Sequence, residues 1–248
     1  KVRKSMIEFF GGNLDEVVIG GAALNKDVEN FLKKIKFPFT VGYGMTECGP
    51  LISYAYWKEY KKRSSGKVVD RMQVKIDSRN QENVVGEILT KGSNLMLGYY
   101  KNEEATKDTF TDDGWLKTGD LGTIDKDNFI YIRGRNKNMI LGPSGQNIYP
   151  EEIEEKLNGS PYIHESLAIG EDHRIVALIV PDKDTLKQEG IEEEKWEELF
   201  NQVVNDINKT LPTYSKIASY RMQEEFEKTP KRSIRRFKYQ IGRASCRE

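Results

Sequence analysis

Histidine and cysteine are almost missing from this chain, with two of each in 248 residues. Cys48 and Cys246 have no metal-ligand spacing, which excludes a disulfide framework and fits a reducing compartment, the cytoplasm. Cys48, beside Gly49, reads as a small buried filler rather than a reactive thiol. His164 and His173 lack partners at ligand spacing and read as strand-flanking residues. No run of about 18 apolar residues occurs, so no transmembrane helix is expected. The opening Lys1-Val-Arg-Lys-Ser-Met6 has a basic flank but no apolar stretch behind it, and no secretory signal is read there. Net charge is absent too: 39 Lys and Arg balance 39 Asp and Glu, so no field points to nucleic acid or anionic lipid. Peripheral membrane contact stays open. No Gly-rich, Ser/Thr-rich phosphate loop ending in Lys occurs. With no initiator Met and an abrupt start, the sequence is expected to be a fragment whose N-terminal half lies elsewhere.

What is present suits a folded protein: 37% hydrophobic residues with abundant Tyr and Phe, enough for one large or two small domains. Leu14 to Ala23 reads as a buried strand entering a Gly-Gly turn. Asn25 is the expected N-cap of a helix over Lys26 to Ile35, with Val28, Phe31, Leu32 and Ile35 on one face. Phe37 to Val41 returns as a strand, completing a parallel crossover whose ligand-facing loops hold Gly20-Gly21 and Tyr43-Gly44. From about Gly66 to Arg133, short strands alternate with Gly, Asn and Asp turns, which predicts an antiparallel, barrel-like subdomain. A short helix is expected over Asn102 to Phe110. Polar Gly134-Arg-Asn-Lys137 marks a boundary. Beyond it come a Gly142 to Gln146 loop, a helix from Pro150, strands at Ile163 to Gly170 and Ile175 to Val180, and a helix over Glu192 to Leu211. The expected fold class is therefore α+β. It comprises the end of a parallel α/β subdomain and a β-barrel-like subdomain over 1–134, a hinge at 135–137, a mobile α+β lid over 138–240 and a tail over 241–248.

Several residues carry candidate chemistry. Val41-Gly-Tyr-Gly-Met-Thr-Glu47 offers a flat aromatic face for adenine at Tyr43, with Gly42 and Gly44 allowing close backbone approach. The alternative for Tyr43 is a core tyrosine at a strand end. Thr46 can donate to a phosphate oxygen, and Glu47 is a hard oxygen ligand for Mg²⁺; otherwise the pair is a helix cap. Asp120, after Thr118-Gly119 and at a strand end, can accept from ribose hydroxyls or form an Asx turn. The cluster Lys228, Lys231, Arg232, Arg235, Arg236 and Lys238 reads as a solvated basic face before it reads as a nucleic-acid or membrane patch.

Taken in order, these segments resemble the adenylate-forming superfamily: acyl-CoA synthetases, peptide-synthetase adenylation domains and luciferases. The likeness runs from about Leu14 to Tyr239. It rests on Gly20-Gly21-Ala22, Tyr43-Gly-Met-Thr-Glu47, Gly86-Glu87, Met96-Leu-Gly-Tyr-Tyr100, Gly114-Trp115-Leu-Lys-Thr-Gly-Asp120, Gly134-Arg135, Gly145 and Glu151-Glu152-Ile153-Glu154. The Gly-Gly-Ala segment and Phe226-Glu-Lys-Thr-Pro resemble long-chain fatty acyl-CoA synthetases best. The resemblance implies adenine-side contacts from Gly20, Gly21 and Ala22, ribose contacts from Asp120 and Arg135, and a hinge at Lys137. It also implies a pantetheine-side loop at Gly145 and Mg²⁺ at Glu47. ATP, a fatty acid and CoA are the substrates it implies: a carboxylate attacks the α-phosphate, then CoA thiol displaces AMP. The catalytic lysine of such enzymes precedes Ile-x-Arg, and Ser233 fills that place before Ile234-Arg-Arg236; Lys231 is the substitute. A non-catalytic binding relative and activation of an amino or aryl acid are the alternatives.

Overall fold

The computed structural model describes residues 1–21, 23–230 and 232–240; Ala22, Lys231 and the 241–248 tail with Cys246 lie outside the described residues. The chain divides into two compact units, Lys1–Lys137 and Asn138–Glu248.

The first unit opens with α1 (Val2–Phe9), β1 (Val17–Ile19), α2 (Lys26–Lys34) and β2 (Phe39–Val41). β1 and β2 pair in parallel, Val17 opposite Phe39, with α2 as the crossover. The Asn25 side chain caps α2, accepting from the Asp27 and Val28 amides at 2.8 and 3.2 Å. The buried face of α2 differs from the expected one. Leu32 is buried and Ile35 packs against the core beside Phe37, Phe39 and Val41, but Val28 and Phe31 are 45% and 46% exposed. Glu29 turns inward instead, because it finds partners there: the Tyr60 hydroxyl donates to it at 2.7 Å and the Arg63 amide at 2.8 Å.

β3 (Tyr43–Gly44) and β4 (Leu51–Ser53) flank a single 3₁₀ turn, Thr46–Cys48. Then come β5 (Met72–Asp77), β6 (Gly86–Gly92), α3 (Glu103–Thr109), β7 (Leu116–Ile124) and β8 (Ile130–Arg135). β5 to β8 form a four-stranded antiparallel meander in sequence order. Among the described residues no barrel closes; four twisted strands are too few to meet edge to edge. Tyr43, Cys48 and Ile52 share one core with Met72, Ile76, Ile88, Leu116, Ile124 and Ile130. That shared core fixes the 43–52 segment against the meander.

The second unit has β9 (Ile140–Leu141), β10 (Asn147–Ile148), α4 (Pro150–Leu157), β11 (Ile163–Glu171), β12 (Arg174–Pro181), α5 (Lys183–Gln188), α6 (Trp196–Thr210) and β13 (Ile217–Met222). β11 and β12 are antiparallel, while β13 returns parallel to β12 after the helices. Alternation sorts the sheet into two faces. Ile175, Ala177 and Ile179 pack with Ile153, Leu157, Phe200 and Val204 of the helices. Val176, Leu178 and Val180 pack with Phe226, Ile234 and Tyr239 of the C-terminal segment.

Candidate nucleotide-binding site

The antiparallel register of β7 and β8 sets Asp120 opposite Arg135. Arg135 Nε stands 3.0 Å from Asp120 Oδ1. From the other side, the Tyr43 hydroxyl donates to Asp120 Oδ2 at 2.7 Å. Residues 77 positions apart in the chain thus meet at one carboxylate. Tyr43 and Asp120 are buried, whereas the Arg135 side chain is largely exposed. Burial first, and then the Asp120 charge, push the Tyr43 phenol far above its ordinary range, so it stays protonated and a donor at every working pH. The strand around Asp120 is held in turn: Thr118 Oγ1 donates to the Ile88 carbonyl at 2.8 Å, and the Gly119 amide donates to Glu87 at 2.9 Å. Asp120 does not end its strand, as the Gly-Asp pair led us to expect. It lies inside β7, which continues to Ile124 and sets Asp120 opposite Arg135; its amide donates to Thr118 Oγ1 at 3.1 Å, and its carboxylate is engaged by Tyr43 and Arg135 rather than in an Asx turn. The Tyr43 ring belongs to the core, with 8% exposure.

Thr46 and Glu47 occupy the 3₁₀ turn, and the loop after β6 clasps it. The Met96 amide donates to the Glu47 carbonyl at 2.8 Å, and Asn94 Nδ2 donates to the Cys48 and Leu51 carbonyls at 2.5 and 3.3 Å. The Tyr99 hydroxyl donates to Glu47 Oε1 at 2.9 Å. Sequence reasoning missed Tyr99; its place in Met96-Leu-Gly-Tyr-Tyr100 was the available signal. No group of three or more His, Cys, Asp or Glu among the described residues is arranged to hold a metal. A cation at Glu47 would therefore complete its shell with water and phosphate oxygens, the donor set Mg²⁺ prefers. On that chemistry Thr46 and Glu47 fit it. Cys48 is fully buried and its thiol is pushed up to about 11, by burial and then by the Glu47 charge, which fits the packed filler expected.

Gly20 lies beside the Gly42 carbonyl, at the carboxyl ends of the two parallel strands, and Gly21 follows in the same turn. Gly44 has no side chain for a reason internal to the chain. A Cβ there would stand 2.0 Å from the Pro50 carbonyl oxygen, which accepts the Met45 amide at 2.8 Å. Lys137, exposed, is the last residue of the first unit. Gly145 belongs to the second unit, in a tight turn closed by the Gly142 amide on the Gln146 carbonyl at 2.8 Å. Beside it is an open concavity whose lining includes Ser144, Gln146, His173, Arg174, Tyr214 and Lys216.

Four cations of the basic segment are paired, and Arg232 and Lys238 are exposed. Lys228 pairs with Glu165 at 2.8 Å, Arg235 with Glu227 at 3.3 Å, Arg236 with Glu154 at 2.8 Å, and Lys238 with Glu227. Lys228 and Arg236 meet carboxylates of β11 and α4, while Arg235 and Lys238 share Glu227 within the segment. Ser233 lies in a hairpin, its carbonyl accepting the Thr229 amide at 2.8 Å. Lys231 and Ala22, both named as site residues from sequence, lie outside the described residues.

Comparison with known proteins places these features in a class. Residues 4–100 match the AMP-binding enzyme family, and residues 137–240 match the AMP-binding enzyme C-terminal domain. The chain belongs to the AMP-binding enzyme family. It is 33% identical over 178 residues to the long-chain-fatty-acid–CoA ligase FadD15 of Mycobacterium bovis, covering 71% of this chain and 28% of that one. It is 32% identical over 222 residues to the 2-succinylbenzoate–CoA ligase of Bacillus licheniformis, covering 87% and 43%. The fold matches o-succinylbenzoate CoA synthetase of Bacillus subtilis, solved with the acyl-adenylate intermediate OSB-AMP. That match has a TM-score of 0.79 at 24% identity and covers 97% of this chain and 50% of that one. The chain thus spans between about a quarter and a half of the length of these relatives.

Proposed function

We propose that this chain is the C-terminal portion of an ATP-dependent acyl-CoA synthetase that activates a long-chain fatty acid. The observation that carries the reading is the meeting of Tyr43, Asp120 and Arg135 at one carboxylate, inside a chain of the AMP-binding family. Beside its bonds with Tyr43 and Arg135, Asp120 accepts from ribose hydroxyls. Arg135 reaches the same ribose from its exposed side. Tyr43 holds Asp120 in place, and adenine is received beside it at Gly20 and Gly21. Thr46 donates to a phosphate oxygen. Mg²⁺ at Glu47, when bound, would neutralise phosphate charge.

In the first half-reaction a carboxylate oxygen bonds to the α-phosphorus as the bond to pyrophosphate breaks. In the second, the CoA sulfur bonds to the acyl carbon as AMP leaves. Arg174 and Lys216 give the concavity beside Gly145 the cationic character that a CoA phosphate calls for. Relatives that act on fatty and on aryl acids both match, and the fatty acid is favoured by the Phe226-Glu-Lys-Thr-Pro phrase.

The test is calorimetric titration of a non-hydrolysable acyl-adenylate analogue into the protein carrying this chain. Asp120→Ala should weaken binding by about 100-fold, since it removes charge-assisted hydrogen bonds worth about 1.5–3 kcal/mol. Arg135→Ala should weaken it by less. Unchanged affinity in both variants rejects the site.

A further inference from the structure

The loop after β6 does more than clasp the Thr46–Cys48 turn. Tyr99 donates its hydroxyl to Glu47 Oε1 at 2.9 Å. Its own backbone is fixed by Thr106 of α3, whose Oγ1 accepts the Tyr99 amide at 2.8 Å and donates to the Asn102 carbonyl at 2.7 Å. Asn102 also caps α3, accepting the Ala105 amide at 3.0 Å. Gly98 makes this approach feasible: its φ is +151°, and a Cβ there would stand 2.8 Å from the Thr106 methyl. A chain of contacts therefore runs from the first turn of α3, through Thr106 and Tyr99, to one oxygen of Glu47. Glu47 Oε2 carries no hydrogen bond among the described residues.

We propose that Tyr99 is a positioning residue for Glu47: it ties down Oε1 and so presents Oε2 to a divalent cation carried in with a nucleotide. This deepens the reading of Glu47 given above and rests on it. A carboxylate left to rotate would meet the cation in many orientations, and one hydrogen bond from a neighbour of known place narrows them. The phenol suits the task. Its hydroxyl carries one donor hydrogen on a rigid ring, so the oxygen that meets Glu47 Oε1 has a fixed place. Tyr99 is 37% exposed, and water competes for Glu47 when the phenol is lost. That places the effect at the lower end of what outer-shell partners of a metal ligand contribute.

The experiment uses the protein carrying this chain, with Mn²⁺ as the probe, followed by electron paramagnetic resonance in the presence of a non-hydrolysable ATP analogue. Tyr99→Phe should weaken Mn²⁺ binding about tenfold, leaving affinity for the metal-free analogue and the melting temperature as in the parent. Thr106→Val should shift Mn²⁺ affinity in the same direction by less. In turnover, the Mg²⁺ concentration giving half-maximal adenylation should rise in Tyr99→Phe, while the rate at saturating Mg²⁺ is retained. Unchanged Mn²⁺ affinity in Tyr99→Phe, with Glu47→Gln weakened, overturns this inference and leaves the nucleotide site standing. Unchanged affinity in Glu47→Gln overturns both the inference and the metal role of Glu47. Equal loss for metal-bound and metal-free nucleotide in Tyr99→Phe also overturns it.

Discussion

The Asp120 cluster and the Lys228–Lys238 segment are both dense in charge, and they use it in opposite ways. At Asp120, one buried carboxylate receives a phenol from β3 and a guanidinium from the facing rung of β8. Its position is set by the register of a four-stranded sheet, and Arg135 still faces solvent. In the C-terminal segment, each of four cations is matched to a carboxylate, two of them on other elements, and the pairs serve to fasten a hairpin. Charge on a strand rung can be held ready for a ligand, because the sheet already holds the backbone. Charge on a hairpin that has no sheet neighbours must first hold the hairpin.

The largest expected effect breaks the second half of that comparison. Arg236 Nη2 donates to Glu154 Oε2 at 2.8 Å, and Arg236 Nη1 donates to the Ala168 carbonyl at 3.1 Å. Glu154 Oε1 accepts the Ala168 amide at 2.7 Å, so the pair holds both backbone groups of Ala168 at the edge of β11. Both side chains are largely buried, and removing one partner strands the other. Arg236→Ala should cost about 3 kcal/mol in urea unfolding near pH 7. Burial already pushes the Glu154 carboxyl up, and Arg236 pulls it back only in part. Without Arg236, burial and the Glu151 charge are opposed only by the Ala168 amide, and the folded-state pKa rises further above the unfolded one. The folded variant then binds a proton more readily than the unfolded chain, so its stability is greater in acid and falls as pH rises through the raised pKa. The deficit against the parent should shrink between pH 7.5 and pH 5; a deficit independent of pH would mean that Glu154 does not carry it.

The next effect sharpens the contrast between structure and chemistry in the same hairpin. With Lys228, Arg235, Arg236 and Lys238 engaged in ion pairs, none of these four stands ready to meet an adenylate oxygen. Ser233→Lys, in the protein carrying this chain, should raise the adenylation rate by on the order of 100-fold, the scale on which a single charge-stabilising donor acts. Pyrophosphate exchange measures it. Absence of exchange with either residue would favour a non-catalytic binding relative, and an unchanged high rate would assign the role to another cation.

These two regions also divide what was legible in the sequence. The crossover helix could be read to within a residue, because Asn25 caps it and Leu32 and Ile35 repeat at helical spacing. Its buried face could not, since the pull on Glu29 comes from Tyr60 and Arg63, about 30 residues downstream. The motif residues Tyr43, Asp120 and Arg135 were named by residue type and order, yet their bonds depend on strand register, which no local pattern states. β13 escaped notice because Ile217–Met222 has only one buried residue and no alternation to mark it. The pairing of the basic segment was equally hidden: Glu154 and Glu165 lie some 60 to 80 residues before the cations they meet. Local signals gave elements, and non-local contacts decided what the charges do.

The smallest expected effect separates the two parts Tyr43 plays at the first region. Its ring fills core space shared with Cys48, Ile52 and Leu116, while its hydroxyl donates to Asp120. Tyr43→Phe keeps the ring and removes the donor, while Arg135 still holds one carboxylate oxygen. Because the lost bond is charge-assisted but Arg135 stays in place, stability should drop by about 1–2 kcal/mol. Affinity for the acyl-adenylate analogue should fall only a few-fold, well short of the loss in Asp120→Ala. Calorimetry on the two variants side by side decides it. If Tyr43→Phe lost as much affinity as Asp120→Ala, the hydroxyl rather than the carboxylate would be the group that meets the ligand. The sheet-rung account of Asp120 would then have assigned the contact to the wrong one of two bonded atoms.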